Sequence, residues 1–299
     1  MSDPETAREP RPGEPWTILG LILWSAEYLA GKGVDGSRLD AEHLIAEALG
    51  TGRLQLYLQY DRPLDNEELA AFKPLLLRRG RREPLQYILG RTGFRELELK
   101  TDRRALIPRP ETEVLVGEVL EWADGRATGM SALDIGTGSG AIALSLVVEG
   151  PFTRVVATDA SEDALALARE NAELVGVDDA LELRSGALFE PVETGERYDV
   201  VVSNPPYVAE EDVPGLSPEI TEWEPPQALF AGPGGMDVLR GLVDGAPDRL
   251  NGGGLLALEV GAGQAGDVAA LIRERGAFEE PSIRRDLSGR PRVVMAVRG

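Results

Sequence analysis

The sequence predicts an α/β protein: a doubly wound, mostly parallel seven-stranded sheet of the Rossmann-like kind, preceded by a small helical domain. Three observations predict it. From residue 131 onward, short β-branched or apolar runs alternate with stretches of helical periodicity, as in successive βαβ units. The turn Gly136-Thr137-Gly138-Ser139-Gly140 stands where a first strand would pass into a helix. Residues 198–203, Tyr-Asp-Val-Val-Val-Ser, read as a strand covered on both faces and stop at Asn204-Pro205-Pro206-Tyr207, whose prolines cannot continue a ladder.

The elements follow in order. Residues 1–15 carry Pro10, Pro12 and Pro15 among charges with little to bury, and are expected to form a disordered leader. Residues 16–90 read as a helical domain: 17–30 closes at Gly31, 37–49 closes at Gly50, and 66–79 follows, with Pro74 expected to kink it. Near its end Arg78, Arg79, Arg81 and Arg82 form a basic cluster, which fits a solvated helix terminus or, less simply, contact with an anionic partner such as RNA.

Within a linker taken as 91–109, residues 93–107 switch to period two, with Phe94, Leu97 and Leu99, then Ala105, Leu106 and Ile107, around Thr101-Asp102. That pattern predicts a β-hairpin linking two domains. Pro108-Arg109-Pro110 then feeds a helix whose first turn is acidic, as the helix dipole prefers.

In the last domain, residues 110–299, strands are expected at 132–135, 154–158, 181–184, 199–203, 254–260, 281–285 and 292–297. No helix separates the last two, so an antiparallel pair at one edge is expected. Residues 208–235 show no regular pattern; a connection that long, starting at the tetrapeptide, suggests a substrate-binding lid.

Composition removes several chemistries. There is no cysteine, which excludes disulfides and thiolate sites, and His43 is the single histidine, placed in a surface-helix pattern. Any reaction here runs without imidazole, and no metal is expected. The longest apolar run, residues 16–24, is about half a membrane span. The chain therefore reads as cytoplasmic, with no membrane partner. Its net charge of -20, with arginine supplying all cations but Lys32, Lys73 and Lys100, argues against a nucleic-acid duplex as the main partner.

The residues that carry chemistry sit at the expected strand ends. Glycines at 136, 138 and 140 let the backbone turn tightly and approach a ligand closely. Gly136, Gly138 and Ala141 also fit a dinucleotide fingerprint, and Asp159, at the end of the next strand, suits the ribose hydroxyls of either cofactor class. Asp134 tips the balance: an anion beside the loop suits a cationic amino group and sulfonium and repels a pyrophosphate.

At the tetrapeptide, the Asn204 side-chain oxygen and the Pro205 carbonyl can each accept one N–H of an amide or amine. Such a grip fixes the nitrogen and aims its lone pair at a methyl group, with Tyr207 packing on the planar substrate group. Positioning alone can be worth about 7–11 kcal/mol in such a displacement. A carboxylate, lacking N–H, would set acceptors against acceptors.

Asn204-Pro205-Pro206-Tyr207 together with Asp134-Ile135-Gly136-Thr137-Gly138-Ser139-Gly140 resembles the class I S-adenosylmethionine-dependent methyltransferases acting on planar nitrogens. Within them the chain looks like the peptide chain release factor glutamine methyltransferases (PrmC/HemK). The likeness runs through Arg38-Leu39-Asp40-Ala41-Glu42, Glu83-Pro84-Leu85-Gln86-Tyr87-Ile88-Leu89-Gly90, Ile107-Pro108-Arg109-Pro110-Glu111-Thr112-Glu113, Glu224-Pro225, Glu259-Val260-Gly261 and Asp286-Leu287.

The resemblance implies methyl transfer to the side-chain amide nitrogen of the glutamine in a release factor's Gly-Gly-Gln loop. It assigns Gly136, Thr137, Gly138, Ser139, Gly140, Asp159 and Asn204 to S-adenosylmethionine, Asn204, Pro205, Pro206 and Tyr207 to the glutamine, and Phe94 to the glutamine pocket. The helical domain would grip the release factor. The chain departs from the family at Ala187-Leu188, where an Asp-Trp pair is common, which leaves Leu188 to pack the adenine. Val238 stands where glycine is common and reads as a neutral change at a helix start.

Three rivals remain at this level: a methyltransferase of adenine or guanine amino groups in nucleic acid, a non-catalytic cofactor-binding scaffold, and a nicotinamide-dependent oxidoreductase. Net charge opposes the first. Asp134 and the absence of any obvious catalytic His, Cys or Lys oppose the last.

Overall fold

The computed structural model describes residues 14–299, so the expected leader falls outside them except at residues 14 and 15. The chain divides at Gly90/Arg91 into two compact units.

The first unit holds helices α1 (Ile18–Gly31), α2 (Ser37–Ala48), α3 (Arg53–Leu58), α4 (Asn66–Gly80) and α5 (Leu85–Leu89) around Ile22, Leu29, Leu44, Ile45 and Phe72. The Thr17 hydroxyl caps α1 by accepting the Gly20 amide at 3.1 Å, and Asp65 with Glu68 forms a capping box on α4. Pro74 lies within α4, which continues past it to Gly80. The arginine cluster is turned inward in part. Arg78 grips Glu83 through two bonds of 2.9 and 2.6 Å, and Arg79 is buried with its Nε 2.6 Å from Asp40. Those two cations hold helices together and present no free charge to an anionic partner.

The second unit begins with a hairpin, β1 (Arg91–Phe94) against β2 (Leu97–Lys100), followed by α6 (Pro110–Ala123). The hairpin ends at Lys100, short of the expected 109, and its Phe94, Leu97 and Leu99 are buried with α6 in the core of this unit. Residues 105–107 form no strand. Asp102 accepts the Arg104 amide and turns the chain, and Ala105 then packs on Ala164 and Leu167 instead of pairing with a neighbour.

After α6 come β3 (Met130–Ile135), α7 (Ala141–Glu149), β4 (Phe152–Asp159), α8 (Glu162–Val175), β5 (Leu181–Ser185) and β6 (Tyr198–Ser203). The chain continues through α9 (Pro218–Thr221), α10 (Asp237–Arg249), β7 (Leu250–Glu259), α11 (Ala265–Arg275), β8 (Ser282–Arg285) and β9 (Pro291–Val297). The seven strands after the hairpin lie in the order β5-β4-β3-β6-β7-β9-β8, parallel as far as β7 and antiparallel across β7/β9 and β9/β8.

Alternation along each strand feeds two cores. Val200 and Val202 join α6 and α7 on one face, while Val201 joins α10 and α11 on the other. All three valines are fully buried, a contribution of about 1.5–3 kcal/mol each.

The order places the active end. The chain builds outward from β3 to β5, then returns to lay β6 beside β3, so the winding reverses between those two strands and leaves a crevice at their carboxyl ends. Ile135 is in register with Ser203. Gly136 and Asn204 therefore leave the sheet side by side.

Candidate active site

The crevice is a cleft of about 600 Å³. Its floor is Gly136–Ser139 and Asp159, and one wall is Ser203, Asn204, Pro205 and Pro206. Residues 208–235 supply the opposite wall through Pro225, Gln227, Ala228 and Phe230, and they are wound into short helical turns rather than a structureless lid. Two contacts fasten that segment. Arg109 binds the buried Glu224 carboxylate with Nη2 2.7 Å from each oxygen, and the Arg103 guanidinium lies 4.0 Å from the centre of the Trp223 ring.

The glycine loop is positioned by its neighbours. Gly136, Gly138 and Gly140 have φ of 74°, 57° and 85°, a region that side chains strain to occupy. The buried Asn171 amide donates to the Ser139 carbonyl at 2.9 Å, pinning the loop to α8. Gly140 itself caps α7 against Leu144 and Ala168, where a Cβ would sit 3.2 and 3.3 Å from their side chains. It shapes the loop without lining the cleft.

Asp134 corrects an expectation. It is fully buried beneath the loop, not on the cleft wall, and its Oδ2 accepts the Thr137 hydroxyl at 2.6 Å. Burial pushes its carboxyl up to about 7. In this structure Oδ2 holds Thr137, while Oδ1 is buried with no hydrogen-bond partner.

Asp159 does face the cleft, from the end of β4. Its oxygens accept the amides of Gly138 and Ser161, both at 2.9 Å, while desolvation raises its pKa. Leu188 lines the cleft at a positive φ of 48°, braced against α10 near Gly241. Val238 lines it too, so that position is part of the wall and not merely a helix start.

The tetrapeptide carries a relay the sequence did not disclose. Asn204 Nδ2 donates to Thr112 Oγ1 at 2.9 Å, and that hydroxyl donates to Glu259 Oε2 at 2.7 Å. The Tyr207 hydroxyl reaches Glu259 Oε1 at 3.3 Å. Burial pushes Glu259 up to about 7 against the pull of Thr112, Tyr207 and Arg292, and it holds the Tyr207 hydroxyl protonated well beyond its ordinary range.

Among the described residues, neither Tyr207 nor Phe94 belongs to the cleft wall. Tyr207 turns toward Glu259 and Gly261, and its carbonyl accepts the Gln264 amide at 3.1 Å. Phe94 is 1% exposed in the core beneath α6. Thr112 and Glu259 were visible in the sequence only as members of motifs, since a contact spanning 92 residues leaves no periodic trace.

The strand order and the loops at its carboxyl end define a class I methyltransferase fold. The Thermus thermophilus 16S rRNA N2 G1207 methyltransferase RsmC, solved with AdoMet and guanosine, shares it with a TM-score of 0.52 at 19% identity, over 70% of this chain and 50% of that one. Residues 21–90 match the PrmC N-terminal domain and residues 112–219 the methyltransferase small domain.

Among curated relatives, the release factor glutamine methyltransferase of Geobacter sulfurreducens is 44% identical, over 94% of this chain and 96% of its own length. That of Rhodopirellula baltica is 36% identical over the same shares. The chain belongs to the release factor glutamine methyltransferase family.

Proposed function

We propose that this protein transfers a methyl group from S-adenosylmethionine to the side-chain amide nitrogen of the glutamine in the Gly-Gly-Gln loop of a peptide chain release factor. The observation that carries the reading is the Asn204 carboxamide, held by Thr112 at the rim of a cleft whose floor is the glycine loop.

The residues present fit the cofactor. A turn of positive-φ glycines leaves room for close approach, the Asp159 carboxylate faces the cleft for a pair of ribose hydroxyls, and Ile142, Ala160 and Leu188 offer apolar surface for adenine. When bound, S-adenosylmethionine supplies a methyl group on a positively charged sulfur.

The chain's own residues do the rest. Asn204 Oδ1 and the Pro205 carbonyl each accept one N–H of the glutamine amide, which fixes the nitrogen. Pro206 stiffens the backbone that carries both acceptors. Pro225, Ala228 and Phe230 line the cleft from the other side. Tyr207 acts indirectly, through Glu259, and Phe94 supports the wall from the core. With the nitrogen so held, positioning supplies most of the rate advantage.

The first unit, matching the PrmC N-terminal domain, is the part we assign to gripping the release factor. Among the described residues no helix is long and apolar enough to cross a membrane. We place the enzyme in the cytoplasm with its substrate. The test is methyl transfer from labelled S-adenosylmethionine to purified release factor and, in parallel, to total nucleic acid. Label in the release factor supports the reading; label in nucleic acid alone replaces it with amino-group methylation of a base.

A further inference from the structure

We infer that the Glu259–Thr112 relay sets the polarity of the Asn204 carboxamide and so makes the site select an amide over a carboxylate; this rests on the glutamine reading above. A carboxamide has two edges of similar shape, one accepting and one donating, and nothing in its own geometry says which edge faces a substrate. Here the neighbours decide. Glu259 sits at the end of β7; at pH 8, above the value of about 7 to which burial pushes it, it is ionised and has no proton to give. Thr112 has a single hydroxyl proton, and at 2.7 Å from Glu259 Oε2 that proton is committed to the carboxylate. The threonine oxygen is then left to accept, so the edge of Asn204 that faces it at 2.9 Å must be the N–H edge. The opposite edge, Oδ1, is thereby presented as an acceptor. The flipped amide would set Asn204 Oδ1 against a lone pair of Thr112, two acceptors with no proton between them.

The charged and titratable surroundings keep this order. From α6, Thr112 donates and Glu111 adds a distant negative charge. From the segment after β6, the Tyr207 hydroxyl takes the second carboxylate oxygen. On β9, Arg292 contributes a positive charge while itself bound to Asp286 at 3.4 Å and to the Val260 carbonyl. Arg292 does not neutralise Glu259 by a direct ion pair, so the carboxylate depends on the two hydroxyls. Thr112 and Asn204 both line the cleft, whereas Glu259 stands behind them. Glu259 is thus a positioning residue, and Thr112 is the element through which it acts.

A glutamine side chain offers two N–H donors to Oδ1 and the Pro205 carbonyl; a glutamate offers none. A site whose acceptor is locked in place rejects the carboxylate, while one whose amide can turn over can donate to it and loses the distinction.

The experiment measures, at pH 8 where Glu259 is ionised, the affinity of release factor, and of release factor with its loop glutamine replaced by glutamate, for the full-length enzyme with S-adenosylhomocysteine present. Wild type should prefer glutamine by at least about tenfold, Thr112→Val should narrow the preference to within about threefold, and Thr112→Ser, which keeps the hydroxyl, should restore it. S-adenosylhomocysteine affinity and the melting curve of each variant report whether the cleft is intact. Should Thr112→Val fail to fold, Glu259→Gln, whose amide can donate to Thr112, should narrow the same ratio.

Equal preference in wild type and Thr112→Val overturns the inference. So does a Thr112→Ser variant as unselective as Thr112→Val, since packing would then explain both. Methylation of the glutamine by the wild type is scored separately. Its absence refutes the substrate reading, whereas retained methylation with an unmoved ratio refutes the relay alone.

Discussion

Replacing Glu259 with Gln should stabilise the protein at alkaline pH while leaving it little changed in acid. Glu259 is fully buried and its carboxyl is pushed from an ordinary 4.5 up to about 7, chiefly by desolvation. The folded state therefore holds its proton over a range where the unfolded chain has released it. Stability is greatest below the unfolded value and declines as pH rises toward the folded value, after which the loss is complete.

With about 1.4 kcal/mol per unit of pKa, the loss from this group is about 1 kcal/mol at pH 5 and about 3 kcal/mol at pH 8. Glutamine does not titrate. The stability gained by Glu259→Gln should thus be about 2–2.5 kcal/mol larger at pH 8 than at pH 5. Asp134, also pushed up to about 7, titrates over the same range but is common to both proteins and cancels in the difference. Urea unfolding of wild type and variant at the two pH values measures it. A difference that stays constant to within about 0.5 kcal/mol would show that Glu259 is already ionised at pH 5 and that burial does not govern it.

Asn204→Ala should lower kcat for release-factor methylation by about 10²-fold, with S-adenosylhomocysteine affinity held within a few-fold by calorimetry, because the glycine loop and Asp159 are untouched. Asp159→Ala should do the reverse, weakening S-adenosylhomocysteine by about 10- to 100-fold through the lost charge-assisted hydrogen bonds. Arg109→Ala strands the buried Glu224 carboxylate and should cost on the order of 3 kcal/mol, read as a lower urea midpoint.

What the sequence made legible was local. The strand ends at Ile135, Asp159 and Ser203 could be read because buried β-branched runs stop there at glycine, at an acidic turn and at proline. The antiparallel end was legible because two strands follow each other with no room for a crossover helix. Where local pattern and tertiary contact compete, the reading failed. Residues 105–107 look like a strand but bury Ala105 against α8, and Phe94, which the family resemblance assigns to the glutamine pocket, is buried in the core with α6.

Asp134 shows the same limit for charge. A carboxylate beside a glycine loop invites a ligand, yet its orientation was decided by a hydroxyl three residues on. Thr112 and Glu259 are the clearest omissions. They approach Asn204 from α6 and from β7, and only the strand order brings those elements together. Conversely, the glycine loop, Asp159 and Asn204, which share the cleft, could be placed from sequence because each stands where its strand ends.

The central claim is that a nitrogen gripped by the acceptors at 204 and 205 receives the methyl group. A tandem mass spectrum of the release factor's Gly-Gly-Gln peptide, taken after incubation with this protein and S-adenosylmethionine, tests it most directly. The account predicts a single methyl group on the glutamine side-chain amide, formed about 10²-fold more slowly when Asn204 is alanine. A methyl group on any other residue of the release factor, or one that persists unchanged in the alanine variant, would contradict it.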